Sequence, residues 1–300
     1  MASSIAFIGL GNMGGPMAAN LVQAGHQVEG YDLSSQSCDA AAQRGVVIAE
    51  TTSAAVKDAD VVVTMLPAGR HVLAVWGEIA QALKAGTLLI DCSTIDVESA
   101  REAHTLAKEV SCLSLDAPVS GGTVGAAAGT LTFMVGGDEA AFQRGETILQ
   151  AMGKRIVHCG GAGAGQAAKI CNNMILGITM AGVCEAFVLG EKLGLSHQAL
   201  FDVASTSSGQ CWSLTTYCPV PGPVPTSPAN NGYKPGFAAA LMLKDLKLSQ
   251  EAAAAAGATT EMGARAAALY EGFSKHGQGD TDFSGLINFL REASGRQSSE

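Results

Sequence analysis

A short apolar run at residues 5–9 leads directly into Gly9-Leu10-Gly11-Asn12-Met13-Gly14. Behind it Met17, Ala18, Leu21 and Val22 recur at helical spacing, and Gly25 stops them. A buried strand, a G-x-G-x-x-G turn and a helix, in that order, leave few folds open. The turn has to be tight, which glycine allows, and the helix has to open close to the end of the strand. The N-terminus of such a helix presents unpaired N–H groups, and a turn without side chains lets a pyrophosphate reach them. The pattern predicts an α/β fold: a Rossmann-type, doubly wound, mostly parallel sheet with Gly9, Leu10, Gly11, Asn12, Met13 and Gly14 as the dinucleotide-binding turn. A glycine-rich turn with no ligand is the competing reading. The strand before and the helix after weigh against it.

The next strand pattern, 27–31, ends at Asp32. About twenty residues past the motif, a carboxylate accepts hydrogen bonds from both ribose hydroxyls of an adenosine and repels a 2′-phosphate. Leu33-Ser34-Ser35 has no arginine to hold such a phosphate. These residues predict NAD over NADP. Residues 46–49, 60–66, 87–91, 112–116, 131–136 and 155–159 read as further strands, with helices over 96–108 and 138–152. Ligands bind such sheets at the carboxyl ends of the strands. That picks out Leu66, Pro67 and His71 in the loop after one strand, and Thr94 after another. An exposed loop histidine and a helix-capping threonine are equal alternatives. Asp116-Ala-Pro-Val-Ser120-Gly121-Gly122 adds a hydroxyl and consecutive backbone N–H groups in one small concavity. Such a nest suits a carboxylate, and a simple turn is the other possibility.

Residues 165–193 form a long apolar run, opening on Gly165-Gln166-Ala167-Ala168-Lys169-Ile170-Cys171-Asn172-Asn173. As one helix it is roughly 40 Å long, enough to cross a domain boundary. Lys169 and Asn173 share a face. A helical lysine usually lays its stem along the surface and keeps its amine in water. Held among apolar neighbours instead, the amine is pushed towards its neutral form, as a general acid/base requires. Residues 160–165 read as a hinge. Beyond Leu193 no strand pattern recurs, and 198–204, 241–256, 262–274 and 283–291 read as helices. Residues 219–235 hold six of the nine prolines and read as a long loop, a candidate lid. In Leu243-Lys244-Asp245-Leu246, Lys244 can face a ligand with Asp245 orienting it, or the two form a solvated pair. The expected organisation is a dinucleotide-binding domain over 1–163, a linking helix over 164–194 and an all-α domain over 195–300.

Composition narrows the function. A net charge of −9 without a Lys/Arg cluster argues against nucleic acid or an anionic membrane as partner. The uncharged run 170–184 is short for a bilayer, and 117–137 is broken by Pro118 and glycines, so no membrane segment is expected. Eight cysteines form no C-x-x-C and six histidines are scattered, so unpaired thiols in a reducing compartment and no metal are expected. A strand at the very start leaves no room for a targeting peptide. This favours the cytoplasm, or the mitochondrial matrix if a presequence has been removed.

GLGNMG, DAPVSGG, GQAAKICNN and LKDL stand in a fixed order, and with them the chain resembles the β-hydroxyacid dehydrogenase family. The likeness covers nearly all 300 residues and includes MLP at 65–67, DCSTID at 91–96, GTLTFMVGG at 129–137, SSGQCW at 207–212 and PVPG at 219–222. PVPG and KICNN point to the branch that oxidises 3-hydroxyisobutyrate. The resemblance implies NAD-dependent oxidation of 3-hydroxyisobutyrate to methylmalonate semialdehyde, a step of valine breakdown. It implies Lys169 as acid/base, Asn173 placing the substrate, and Ser120, Gly121 and Gly122 holding its carboxylate. Lys244, with Asp245, would sit near the substrate and the nicotinamide end, and Thr94 near the nicotinamide. A helical C-terminal domain that builds a homodimer or homotetramer is implied as well. Alternatives are reductases of tartronate or succinate semialdehyde, a dehydrogenase of serine and, remotely, a non-catalytic dehydrogenase-like binding module. Cys218 stands where asparagine is expected, and Pro235-Gly236-Phe237 replaces Gly-Gly-Phe.

Overall fold

The computed structural model describes residues 2–296. The chain folds as two compact units that divide between Lys169 and Ile170. The sequence reading placed the boundary at 163/164, ahead of a linking helix. That helix exists as Ala164–Lys192, and the division falls inside it.

In the first unit strands and helices alternate: β1 Ser4–Ile8, α1 Gly14–Gln23, β2 Gln27–Tyr31, α2 Ser35–Ala42, β3 Val47–Ile48, α3 Thr52–Val56, β4 Val61–Thr64, α4 Gly69–Ile79, β5 Leu88–Asp91, α5 Val97–Glu109, β6 Leu113–Asp116, β7 Val119–Ser120, α6 Gly122–Ala128, β8 Leu131–Gly136, α7 Glu139–Gln150 and β9 Gly153–Gly160. The described strands form one sheet in the order β3-β2-β1-β4-β5-β6-β8-β7, with β9 beside β8. Pairing is parallel from β3 to β6 and antiparallel where β8 meets β6 and β7. The chain runs outward from β1 to β3, then returns to β4 on the other side of β1. Such a reversal opens a crevice at the carboxyl ends of the two central strands.

Successive side chains of a strand point to opposite faces, so a strand covered on both faces has to be apolar throughout. The four positions of β4 and the four of β5 are all buried. Phe7, Val63 and Ile90 pack with Met17 and Leu21 on one face, while Ile8, Val62 and Leu89 pack with Trp76 and Ile79 on the other. Asp96 accepts from Ser99 N–H and caps α5, so that helix starts one residue after the expected position. The short, alanine-rich α2 and α3 were not foreseen, although Ser34 and Thr51 cap them in the same way.

The helix Ala164–Lys192 is α8, and the second unit adds α9 His197–Ala204, α10 Trp212–Thr215, α11 Ala239–Ala256, α12 Glu261–Phe273 and α13 Leu286–Arg296. Met180, Cys184 and Phe187 of α8 pack with Met242, Leu246 and Tyr270 in a core of their own. By length and composition α8 could cross a membrane, with a mean hydropathy of 1.6. The sequence reading counted only residues 170–184. One side of the full helix fills this core, while Ile175 and Leu189 stay exposed.

Two other expectations change. Residues 160–165 are not a free hinge: Gly163 N–H is bonded to the Asp116 carboxylate, and a Cβ on Gly165 would fall 2.4 Å from Met134 O. The glycine there permits close approach. The proline-rich loop is packed and tied to itself, unlike a swinging lid. Val220 and Val224 are buried, Tyr233 OH donates to Pro219 O at 2.9 Å, and Asn230 Nδ2 donates to Val224 O at 2.8 Å.

Candidate active site

The turn after β1 is built by exclusion of side chains. A Cβ on Gly9 would lie 2.3 Å from Met65 O, and one on Gly14 only 1.8 Å from Gly9 O, so neither position admits another residue. Gly11 differs: a Cβ there would meet nothing within 4 Å. Its bareness serves no packing need, and it leaves open space above the turn. Behind it α1 begins without a capping side chain and without an acidic residue in its first turn. Open space against uncapped N–H groups fits a pyrophosphate. Leu10 turns its side chain into the core and gives its N–H to Asp32 Oδ2 at 2.7 Å. Asn12 is exposed and Met13 half-buried.

Asp32 therefore works on the protein first. Its second oxygen accepts from Ser34 N–H at 2.8 Å. Carboxylate oxygens carry about four acceptor sites between them, so capacity for ribose hydroxyls is left. A groove of about 310 Å3 opens beside the turn, lined by Gly11, Asn12, Pro16, Ser37 and Arg44. The sequence reading looked for arginine only at 33–35. The fold brings Arg44, just past α2, to the same groove.

At the carboxyl ends of β4 and β5 the segments carrying Leu66 and Thr94 are joined. Leu66 N–H donates to Ser93 Oγ at 2.8 Å, and Ser93 Oγ donates to Asp91 Oδ1 at 2.6 Å. Thr64 Oγ1 donates to the same carboxylate oxygen at 2.7 Å. The other oxygen of Asp91 is buried with no hydrogen-bond partner among the described residues. Burial pushes this carboxyl up to about 6, against the pull of its Ser93 and Thr64 hydrogen bonds. Pro67 is exposed and Thr94 half-buried. His71 sits in the first turn of α4, not in a loop, because Gly69 already starts the helix. Its Nδ1 is buried and has no partner among the described residues.

Ser120 ends β7, and Gly121 and Gly122 follow with φ of 136° and 61°. α6 begins there with no side chain capping it. The turn thus offers a hydroxyl and free N–H groups, the donor set of an anion site.

Lys169 lies one turn into α8 and is only 8% exposed. That decides against a lysine lying along the surface. The turn before it is held from two sides. Asp116 accepts from Gly163 N–H and Gln166 N–H, both at 2.9 Å, and so caps α8 from another strand. His104 Nε2 lies 2.9 Å from the same carboxylate, and His104 Nδ1 2.7 Å from Ser114 Oγ. A carboxylate only accepts, so Nε2 donates in the bond to Asp116. The fully buried Gln166 side chain donates to Ser93 O at 2.7 Å and accepts from Ile95 N–H at 3.1 Å.

Asn173 belongs to the second unit and is 2% exposed. Its amide donates to Asp245 Oδ2 at 2.5 Å and accepts from Asn172 Nδ2 at 3.0 Å. The sequence reading gave Asp245 to Lys244. The structure adds the bond from Asn173 to the buried Asp245, and Lys244 is half-buried beside a shallow groove with Lys247 and Glu251.

Residues 4–161 match the family described as the NAD-binding domain of 6-phosphogluconate dehydrogenase. Residues 163–290 match the NAD-binding family of NADP-dependent 3-hydroxyisobutyrate dehydrogenase. A solved structure of Mycobacterium tuberculosis 3-hydroxyisobutyrate dehydrogenase with L-serine superposes with a TM-score of 0.95, is 54% identical, and is covered over its full length by 97% of this chain. The chain belongs to the 3-hydroxyisobutyrate dehydrogenase family. Two relatives from Pseudomonas aeruginosa show how wide that family is. One, a 3-hydroxyisobutyrate dehydrogenase, is 48% identical over 95% of each chain. The other, an NAD-dependent L-serine dehydrogenase, is 47% identical over 93% of this chain and 95% of its own. The chain is thus an NAD-dependent oxidoreductase. The NADP in one family description goes with the helical segment, whereas Asp32 stands in the other.

Proposed function

We propose that the chain oxidises the primary alcohol of 3-hydroxyisobutyrate to methylmalonate semialdehyde, with Lys169 as general acid/base. The observation that carries the reading is a buried lysine one helical turn ahead of a buried, hydrogen-bonded asparagine. NAD, when bound, supplies the hydride acceptor at its nicotinamide. Gly9 to Gly14 would hold its pyrophosphate, Asp32 its adenosine ribose, and Leu66, Pro67, His71 and Thr94 the parts nearer the nicotinamide. Lys169, neutral when substrate binds, takes the hydroxyl proton as the carbon–hydrogen bond breaks. Asn173, fixed by Asp245, orients the reacting hydroxyl. The N–H groups at Gly121 and Gly122, with the Ser120 hydroxyl, hold the carboxylate. Anchoring at both ends leaves one prochiral hydrogen aligned for transfer.

L-Serine is the second reading. It carries the same hydroxymethyl and carboxylate, with an ammonium in place of the methyl. The serine dehydrogenase relative and the serine-bound structure favour testing it. The reading also takes a homodimer or homotetramer as the working form, and the cytoplasm as the compartment, or the mitochondrial matrix if a presequence has been removed. The test is NADH formation from (S)-3-hydroxyisobutyrate, L-serine and D-glycerate, each with NAD and with NADP. The reading expects the highest kcat/KM for 3-hydroxyisobutyrate with NAD. A higher kcat/KM for L-serine would move the assignment to the second reading, and a preference for NADP would remove the role given to Asp32.

A further inference from the structure

Three features at the base of α8 have no part in the steps above: the Gln166 side chain, the Asp116 carboxylate and the His104 ring. All three are buried or nearly so, with side-chain exposures of 12% for His104 and 2% for Asp116 and none for Gln166. Gln166 uses both ends of its amide. Nε2–H reaches the carbonyl of Ser93, and Oε1 takes the N–H of Ile95. These are the residues on either side of Thr94. One amide thus grips the main chain around Thr94, while its own main chain sits one turn before Lys169.

Gln166 is itself held. Its N–H and that of Gly163 are bonded to the two oxygens of Asp116. No residue larger than glycine fits at 165, where a Cβ would lie 2.5 Å from Asp116 O. The chain continues from Asp116 to the Ser120 turn only four residues later. Ser93, gripped by Gln166, also carries the bond to Leu66 N–H. The segments of Leu66, Thr94, Ser120 and Lys169 therefore meet mechanically at Gln166 and Asp116, inside the first unit.

We propose that Gln166 is a positioning residue for hydride transfer: it keeps the helical turn that carries Lys169 in register with the Thr94 segment, on a main chain that Asp116 fixes. The proposal rests on Lys169 being the acid/base. A proton acceptor and a hydride acceptor act on adjacent bonds of one carbinol group, so their separation has to hold to a fraction of an ångström. A displacement of about 1 Å is enough to cost on the order of 100-fold in rate.

The test uses Gln166→Met, which keeps length and volume and removes both amide bonds, and Gln166→Glu, which keeps the acceptor for Ile95 and loses the donor to Ser93. Single-turnover NADH formation is followed with enzyme and NAD in excess over 3-hydroxyisobutyrate. Amide hydrogen exchange is followed on the protein without ligands. The expected result for Gln166→Met is a rate constant about 10- to 100-fold lower at unchanged amplitude, with exchange at Ile95 at least about 10-fold faster. Gln166→Glu should fall between wild type and Gln166→Met in rate and keep Ile95 protected. If Gln166→Met does not fold, the Gln166→Glu rate decides alone. A Gln166→Met variant that keeps the wild-type rate constant overturns the proposal. Lys169→Ala is run beside them. An active Lys169→Ala overturns the acid/base reading itself. An inactive Lys169→Ala beside a Gln166→Met of wild-type rate overturns only the positioning role.

Discussion

Asp91 and Asp116 end neighbouring parallel strands, and the register sets them side by side. Both are 2% exposed. Their surroundings are opposite. Asp116 spreads His104, Gly163 N–H and Gln166 N–H over both oxygens. Asp91 collects Thr64 and both donors of Ser93 on one oxygen and leaves the other bare. A carboxylate satisfied on both sides acts as a fixed strut, and here it caps the helix of Lys169. One with a bare buried oxygen is poorly solvated as an anion and takes up a proton more readily. Two identical residues, one strand apart, thus have different tasks: Asp116 anchors a helix, and Asp91 keeps a bare buried oxygen.

The largest effect should come from removing the anchor. Asp116→Ala leaves two buried N–H groups at the start of α8 without acceptors, at about 1–3 kcal/mol each. Urea unfolding should show a loss of about 2–6 kcal/mol. A loss under about 1 kcal/mol would place Asp116 on the same footing as an ordinary surface carboxylate and break the comparison.

Next is the pH response of Asp91. Its folded value, about 6, lies above the usual 3.8. The folded state therefore holds the proton more tightly than the unfolded chain. Stability from this group is fully present below about pH 4 and is lost as pH rises through about 6. The full span corresponds to about 3 kcal/mol. Asp91→Asn cannot titrate, so its stability relative to wild type should rise by up to that amount between pH 4 and pH 7. The check is urea unfolding of both proteins across this range, and a flat difference would contradict the bare-oxygen argument.

Asp32 sharpens the comparison as a carboxylate that is satisfied but half-exposed. Asp32→Ala frees Leu10 N–H and Ser34 N–H to solvent and removes the ribose acceptor. NAD binding measured by calorimetry should weaken about 10-fold, or 1.4 kcal/mol, with little change in stability. Unchanged NAD affinity would leave Asp32 only its role in holding the turn.

These carboxylates also show what the sequence could tell. Gly9, Gly11, Gly14 and Asp32 were legible because strand, turn and helix act over a short stretch. Lys169 and Asn173 were legible as one face of one helix, and the structure adds burial and Asp245. Gln166 and Asp116 were quoted in motifs without a role, since their partners lie 47 to 73 residues away in the chain. A fully buried glutamine one turn from a lysine was the available signal, but burial at one helical position follows from packing that no local pattern states. Whether the proline-rich loop is ordered or a mobile lid was not legible for the same reason. Its prolines mark where regular structure stops, and the buried Val220 and Val224 that hold it down appear only in the fold.

The central claim is that Lys169 moves the proton. Lys169→Ala should be measured for kcat with 3-hydroxyisobutyrate and for NAD binding by titration. A loss of at least about 100-fold in kcat, with NAD affinity close to wild type, is the predicted result. Turnover near the wild-type value, with NAD bound normally, would contradict it.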